Sequence, residues 1–311
     1  MVTRLGVHES VAVMFPPEVL RDAIEAEGVR DVTVVGNDAA TLAALDALVT
    51  FDFDEAFLES GLRWIHSTQA GVNRLPLERL ASNDVPVTSS NGIHADSAGE
   101  TVAGYMLAFA RNLHRFVRAQ EERQWDEPAW DASFSLVGES VCVVGLGGLG
   151  RGIAQRADAL GMCVTGVRRT PLPVGHVERV YTPDELYEAI SGARFVVLAV
   201  PLTEATRRLV GSDELAAMRE DAYLVNVARG AVVDEAALVD ALETGVIAGA
   251  ALDVFETEPL PADSPLWAME NVVMTPHEAT DTREKPGLVA RLAAENWRRL
   301  QAGESLANRI A

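Results

Sequence analysis

Short runs of β-branched and aliphatic residues alternate along this chain with longer stretches whose apolar side chains recur every three or four positions. A strand-like period alternating with a helix-like one predicts parallel sheets covered by helices on both faces. In the first hundred residues the strand-like runs are Arg4–Val7, Val32–Val35, Leu48–Phe51, Trp64–Ser67 and Val85–Thr88. Helical segments such as Pro17–Glu27 lie between them, and the Pro16-Pro17 pair suits a helix start, where a missing amide costs nothing. A long helix is predicted from about Ser97 to Gln120, with Val102, Met106, Phe109, Leu113 and Phe116 at helical spacing. The stretch Gln124–Ser135, containing Trp125, Pro128 and Trp130, breaks that period, and its tryptophans read as packing or interface residues rather than a ligand site.

A second alternation begins at Val141, with strand-like runs at Val141–Val144, Val164–Val167, Phe195–Val200, Tyr223–Val227, Gly249–Leu252 and Val272–Met274. Six such strands with intervening helices suit a doubly wound dinucleotide fold. The closing helix, from about Glu284 to Ala302, is expected to lead the chain back to the first unit. The expectation is therefore an α/β protein of two doubly wound parallel-sheet domains. Residues 1–96 with 285–311 form the smaller one and residues 97–284 the dinucleotide-binding Rossmann domain. A length of 311 residues agrees, at roughly 150 residues per domain.

Composition narrows the partners. Acidic residues number 46 against 26 basic ones, for a formal net charge of −20. Such a chain repels nucleic-acid phosphates and anionic lipid, which sets both aside as partners. Lys285 is the single lysine, so arginine supplies all but one of the basic residues. The excess of carboxylates fits a merely acidic cytosolic protein or adaptation to high salt, where screening removes the self-repulsion of the surface. The near-absence of lysine favours a halophilic origin. Cys142 and Cys163, in VCVVG and MCVTG, read as buried core filler rather than a disulfide or metal site. The opening MVTRLGVHES lacks the apolar stretch of a signal peptide, and no apolar run approaches about 18 residues, so a cytoplasmic location is expected.

The run Gly145-Leu146-Gly147-Gly148-Leu149-Gly150 follows the apolar strand ESVCVV and opens an amphipathic helix, Arg151–Leu160. A lone GxGxxG is weak evidence, but strand before and helix after are the context a phosphate-binding turn requires. Gly145 allows the tight turn, Gly147 the approach of a pyrophosphate, and Gly150 close packing of helix on strand. The helix N-terminus adds free N–H groups and partial positive charge. About 20 residues on, where an NAD site places Asp or Glu for the ribose 2′-hydroxyl, the chain reads Val167-Arg168-Arg169-Thr170. A carboxylate there would repel a 2′-phosphate and an arginine would clasp it, so NADPH is the preferred cofactor, with NADH possible.

Three residues toward the C-terminus assemble into a mechanism. Arg229 in NVARG, Glu258 in ALDVFETEP and His277 in MTPHEAT each follow a predicted parallel strand, at the edge where open α/β sheets bind ligands. An arginine there can hold a carboxylate and polarise a carbonyl. A histidine can pass a proton, and a carboxylate behind it orients the ring and favours its protonated form. With a nicotinamide supplying hydride, that set can reduce a 2-keto acid.

The order and spacing of these residues resemble the D-2-hydroxyacid dehydrogenase family. The resemblance runs through VGLGGLGRGIAQRADALGMCV, the strand-end VPLT, LVNVARGAVVDEAAL, GAALDVFETEPLP and NVVMTPH. It implies a smaller flavodoxin-like substrate domain beside the Rossmann domain. It also implies that Arg229 binds the substrate carboxylate and carbonyl, and that Glu258 pairs with His277, the general acid. Asp253 would receive the nicotinamide carboxamide and Thr206 would contact the cofactor phosphates. Gly148, Leu149, Val200, Pro201, Val227 and Ala228 would line the cofactor beside Gly145, Gly147, Gly150, Arg168, Arg169 and Thr170. The turn Gln69-Ala70-Gly71-Val72 resembles the substrate loop, so Ala70, Gly71 and Val72 would grip the carboxylate. The segment 97–135 resembles the family's dimer-forming element, and a homodimer is expected.

Beyond His277 the run Glu278-Ala279-Thr280-Asp281-Thr282-Arg283 looks more like the glyoxylate and hydroxypyruvate reductase branch, although Glu278 is unexpected there. The chain shows no regulatory extension like that of phosphoglycerate dehydrogenases, and Glu258 stands where formate dehydrogenases of this family carry Gln. The other class of reading is a catalytically silent NAD(P)-binding scaffold like the family's co-repressor members. An intact Arg229, Glu258 and His277 set disfavours it.

Salt adaptation has a direct consequence. The unfolding midpoint is expected to rise from dilute buffer to multimolar KCl. Equal stability at both ends would sink the halophilic reading.

Overall fold

The structure, a computed structural model, describes residues 4–71 and 75–310. The chain divides into two units, residues 1–93 with 282–311 and residues 94–281.

In the first unit, β1 (Leu5–His8), β2 (Val32–Val35), β3 (Ala47–Thr50), β4 (Trp64–Ser67) and β5 (Val87–Ser89) form one parallel sheet in the order β2-β1-β3-β4-β5. Taken in chain order this is 2-1-3-4-5, the flavodoxin-like arrangement. The last strand starts later than its apolar pattern does, because Pro86 has no amide to give a ladder. Its carbonyl still accepts from the Ile65 amide at 3.0 Å. The helix Lys285–Ala302 completes this core, burying Val289, Ala290, Ala293, Ala294 and Trp297 with Leu5, Val7, Leu20 and Ile24. Asn296, fully buried on that helix, exchanges two hydrogen bonds with the backbone of Ala307.

The second unit holds seven parallel strands: β6 (Ser140–Val144), β7 (Cys163–Val167), β8 (Arg179–Tyr181), β9 (Phe195–Leu198), β10 (Tyr223–Asn226), β11 (Gly249–Leu252) and β12 (Val272–Met274). Their order is β12-β11-β10-β9-β6-β7-β8. The direction of winding reverses between β6 and β9, which makes the end of β6 the switch point where such sheets bind ligands. Side chains of β6 alternate faithfully. Cys142 and Val144 enter one apolar layer, Val141 and Val143 the other.

Three expectations need correction. Six strands were expected and seven form. β8 is three residues long with charged Arg179 at its head, too short and too polar for its pattern to read as a strand, and it sits at the sheet edge. The long helix of Ser97–Gln120 is two, Ala95–Ala110 and Leu113–Glu121, broken at Asn112. There the backbone is left-handed (φ 53°), and the side-chain amide donates to the Ala132 carbonyl at 3.0 Å and to Ser133 Oγ at 3.1 Å. Asparagine tolerates that conformation better than most residues, and its amide fastens the following loop. Cys142 is buried as expected, but Cys163, the first residue of β7, is exposed.

Trp125 and Trp130 are 90% and 94% exposed. No helix among the described residues is long and apolar enough to cross a membrane. Nor, among those residues, does any cluster of three His, Cys, Asp or Glu side chains form that could hold a metal ion.

The break at Asn112 can be tested by unfolding in urea. Asn112→Ala loses both side-chain bonds and strains the backbone, an expected loss of about 2 kcal/mol. Asn112→Gly keeps the conformation and should lose about 1 kcal/mol. Equal losses would show that the left-handed backbone contributes nothing.

Candidate active site

The glycine run leaves β6 and enters the helix Gly148–Ala159. Gly145 has φ +101°, and its amide donates to the Val167 carbonyl at 2.9 Å, so the turn is tied to the neighbouring strand. A Cβ on Gly150 would lie 1.8 Å from the Gly145 carbonyl oxygen, whereas one on Gly147 would meet nothing within 4 Å. The turn is thus closed against the protein at Gly150 and open to solvent at Gly147, beside the first amides of a helix. That is a cradle for a phosphate group.

Arg168, half-buried, and Arg169 and Thr170, exposed, follow β7 directly. The Arg168 amide donates to the Tyr181 carbonyl at 3.0 Å, which fixes the backbone. Among the described residues neither guanidinium has a carboxylate partner, although acidic residues greatly outnumber basic ones. Beyond β9, Val200 and Pro201 lead into a short loop closed by Thr206, whose hydroxyl donates to the Pro201 carbonyl at 2.6 Å and accepts from the Thr203 amide at 2.8 Å.

After β10 the buried side chain of Asn226 shapes the next turn. Its Oδ1 accepts from the Ala228 amide at 3.0 Å, and its Nδ2 donates to the Arg229 carbonyl at 3.1 Å. Val227 and Ala228 are buried, leaving Arg229 half-buried with Nη1 donating to the Ala228 carbonyl at 2.6 Å. The expectations from sequence passed over Asn226, because a polar residue at the end of an apolar strand gives no signal of where its amide points.

His277 follows β12 in a left-handed conformation (φ 61°). Its Nδ1 lies 2.8 Å from Glu258 Oε2, and Glu258 Oε1 accepts from the Phe255 amide at 3.1 Å. Each partner is partly exposed, with 48% of the histidine and 37% of the glutamate side chain open to solvent. Asp253, just past β11, is 2% exposed and points inward. Its Oδ1 accepts from Thr275 Oγ1 at 2.5 Å and from the amides of Glu278 and Ala279 at 2.8 and 3.0 Å. The Ala279 amide also reaches Oδ2 at 3.1 Å. Tyr105 Oη lies 2.5 Å from Thr275 Oγ1, and burial pushes the Tyr105 phenol up to about 12. Neither Tyr105 nor Thr275 was legible as part of this site in the sequence.

Arg229, Asp253, Glu258 and His277 thus lie at one edge of one sheet, with the glycine turn and the arginine pair along the same carboxyl edge. An apolar cavity of about 580 Å3 adjoins Glu258 and His277, lined by Phe255, Pro259, Leu260, Trp267, Met274 and Pro276. Ala70 and Gly71 lie just past β4 in the other unit, and Val72 falls outside the described residues.

A glycine turn leading from the strand at the switch point of a seven-stranded doubly wound sheet into a helix defines a dinucleotide-binding domain. Residues 103–279 match the family model for the D-isomer specific 2-hydroxyacid dehydrogenase NAD-binding domain. The chain belongs to the D-isomer specific 2-hydroxyacid dehydrogenase family, whose members are NAD(P)-dependent oxidoreductases. It is 33% identical to a glyoxylate reductase of Korarchaeum cryptofilum, over 84% of this chain and 80% of that one. It is 35% identical to a D-3-phosphoglycerate dehydrogenase of Methanocaldococcus jannaschii, over 79% of this chain, but spans only about half (47%) of that relative's length. The fold matches a D-isomer specific 2-hydroxyacid dehydrogenase from Xanthobacter autotrophicus Py2, solved with NADPH and MES, at a TM-score of 0.86 and 33% identity. That match covers 100% of this chain and 98% of the other.

Proposed function

We propose that this protein reduces small 2-keto acids to D-2-hydroxy acids, prefers NADPH, and uses His277 as the proton donor. The observation that carries the reading is the 2.8 Å pair of His277 Nδ1 with Glu258, held at the same sheet edge as Arg229, which has no carboxylate partner among the described residues.

The chemistry follows from the donor set. Arg229 spends one N–H on the Ala228 carbonyl, which leaves the others for a substrate carboxylate and the adjacent carbonyl oxygen. With Nδ1 engaged by Glu258, the imidazole presents Nε2 to that oxygen, and the carboxylate stabilises the ring while it carries the proton. When bound, the reduced nicotinamide supplies the hydride to the carbonyl carbon. The Nε2 proton goes to the oxygen, giving the hydroxy acid and a neutral imidazole. The residues present fit that cofactor. Gly147 leaves room for a pyrophosphate, and Arg168 and Arg169 offer two guanidiniums, without carboxylate partners among the described residues, where a 2′-phosphate would lie. The NADPH bound to the Xanthobacter protein and the activity named for the Korarchaeum relative support the same reading.

The segment 97–135 is assigned to self-association. Leu113, Val117, Trp125 and Trp130 are exposed there, 48%, 57%, 90% and 94% respectively, and large apolar side chains in such a group favour a covered surface. A chain that sediments only as a monomer would remove this assignment.

The decisive assay is oxidation of NADPH and of NADH with a panel of acids from glyoxylate and hydroxypyruvate to branched 2-keto acids, in low and high salt. Turnover with at least one acid, faster with NADPH, is expected. No turnover with any acid would leave a cofactor-binding scaffold. Arg168→Asp should weaken NADPH by about tenfold to a hundredfold and NADH far less. Equal effects on both would discard the NADPH preference.

A further inference from the structure

The helix Ala95–Ala110 carries a file of hydroxyl side chains that no step of the reaction uses. Ser97, Thr101 and Tyr105 are spaced by four residues and so lie in one row along the helix. All three reach the segment that bears His277. Ser97 Oγ donates to the Thr280 carbonyl at 3.2 Å, Thr101 Oγ1 to the Ala279 carbonyl at 3.0 Å, and Tyr105 Oη meets Thr275 Oγ1 at 2.5 Å. Thr275 Oγ1 in turn donates to Asp253 Oδ1, so the hydrogen bonds run in one direction, phenol to hydroxyl to carboxylate. A phenol that stays protonated across the working range of pH keeps that direction fixed.

His277 needs such support. A left-handed backbone is unfavourable for a residue other than glycine and persists only where its surroundings over-determine it. Here the His277 amide donates to the Asp253 carbonyl at 2.8 Å, and the next two amides are held by the Asp253 carboxylate. Released from these bonds, residues 276–279 would relax toward an ordinary turn, and the imidazole would leave Glu258. We propose that Tyr105 and Thr275 are positioning residues, which act through the Asp253 carboxylate to hold the His277 turn where its ring can deliver a proton. The proposal rests on the reading of His277 as proton donor and adds the device that fixes it.

The test uses the full chain with NADPH and whichever 2-keto acid turns over fastest. Tyr105→Phe and Thr275→Val each delete one hydroxyl at nearly constant volume. Each is expected to lower kcat by about tenfold or more, while the Kd for NADPH stays within about twofold. Because the two act in series, the double variant should be little slower than Thr275→Val alone. Thr275→Ser keeps the hydroxyl and should restore kcat to within about threefold of the parent. Wild-type kcat in both single variants, or a Thr275→Ser variant as slow as Thr275→Val, overturns the proposal. His277→Ala separates this from failure of the underlying reading. If that variant turns over normally, His277 is not the donor. If it is inactive while both hydroxyl variants are normal, only the positioning proposal fails.

Discussion

A buried carboxylate organises the reactive end of this protein. An ionised group removed from water costs several kcal/mol unless hydrogen bonds replace its hydration, and Asp253 finds its donors in a single stretch of chain. Thr275 Oγ1 and the amides of Glu278 and Ala279 all turn toward it. To supply them the chain leaving β12 must fold back across the end of β11, and the residue at the bend, His277, is forced left-handed. The bend brings the imidazole to Glu258, itself held by the Phe255 amide. The site is therefore less a set of side chains on a flexible loop than a consequence of where one carboxylate could be satisfied.

The charge pattern works with that geometry. Many arginines in this acidic chain pair locally with carboxylates, as in Arg79 with Glu55 or Arg156 with Asp96 and Glu100. Exposed pairs of this kind contribute little to stability. Among the described residues Arg168, Arg169 and Arg229 have no such partners, and they follow the carboxyl ends of β7 and β10 in one parallel sheet. Positive charge left uncompensated against a strongly negative background is a local well for anions, suited to phosphate and carboxylate groups.

Much of this was legible in the sequence, for identifiable reasons. Eleven of the twelve strands showed as apolar runs ending within two residues of their places, because parallel strands buried on both faces leave near-continuous hydrophobic stretches. Phe195–Val200 reached two residues past β9, and β8 was invisible because three residues at an edge carry no period. The glycine turn was readable because strand, glycines and helix are contiguous. Arg229, Glu258 and His277 could be picked out by their positions after successive strands. What the sequence hid is what depends on contacts between distant segments. Tyr105 reads as one more residue on an apolar helix until Thr275, 170 positions away, is seen against it. Asn112 looks like a tolerable helix interior residue until its amide reaches Ala132. Cys163 sits in an apolar run yet faces solvent, because it opens its strand rather than lying within it.

The central claim is that the proton reaches the substrate from His277. The pH dependence of kcat/KM for 2-keto acid reduction, compared between the parent and His277→Gln, tests it most directly. The account predicts that the parent rate falls about tenfold per unit on the alkaline side of one titration, and that the glutamine variant is slow and lacks that limb. A glutamine variant that keeps the same alkaline fall would contradict the account, because the titrating donor would then be another group.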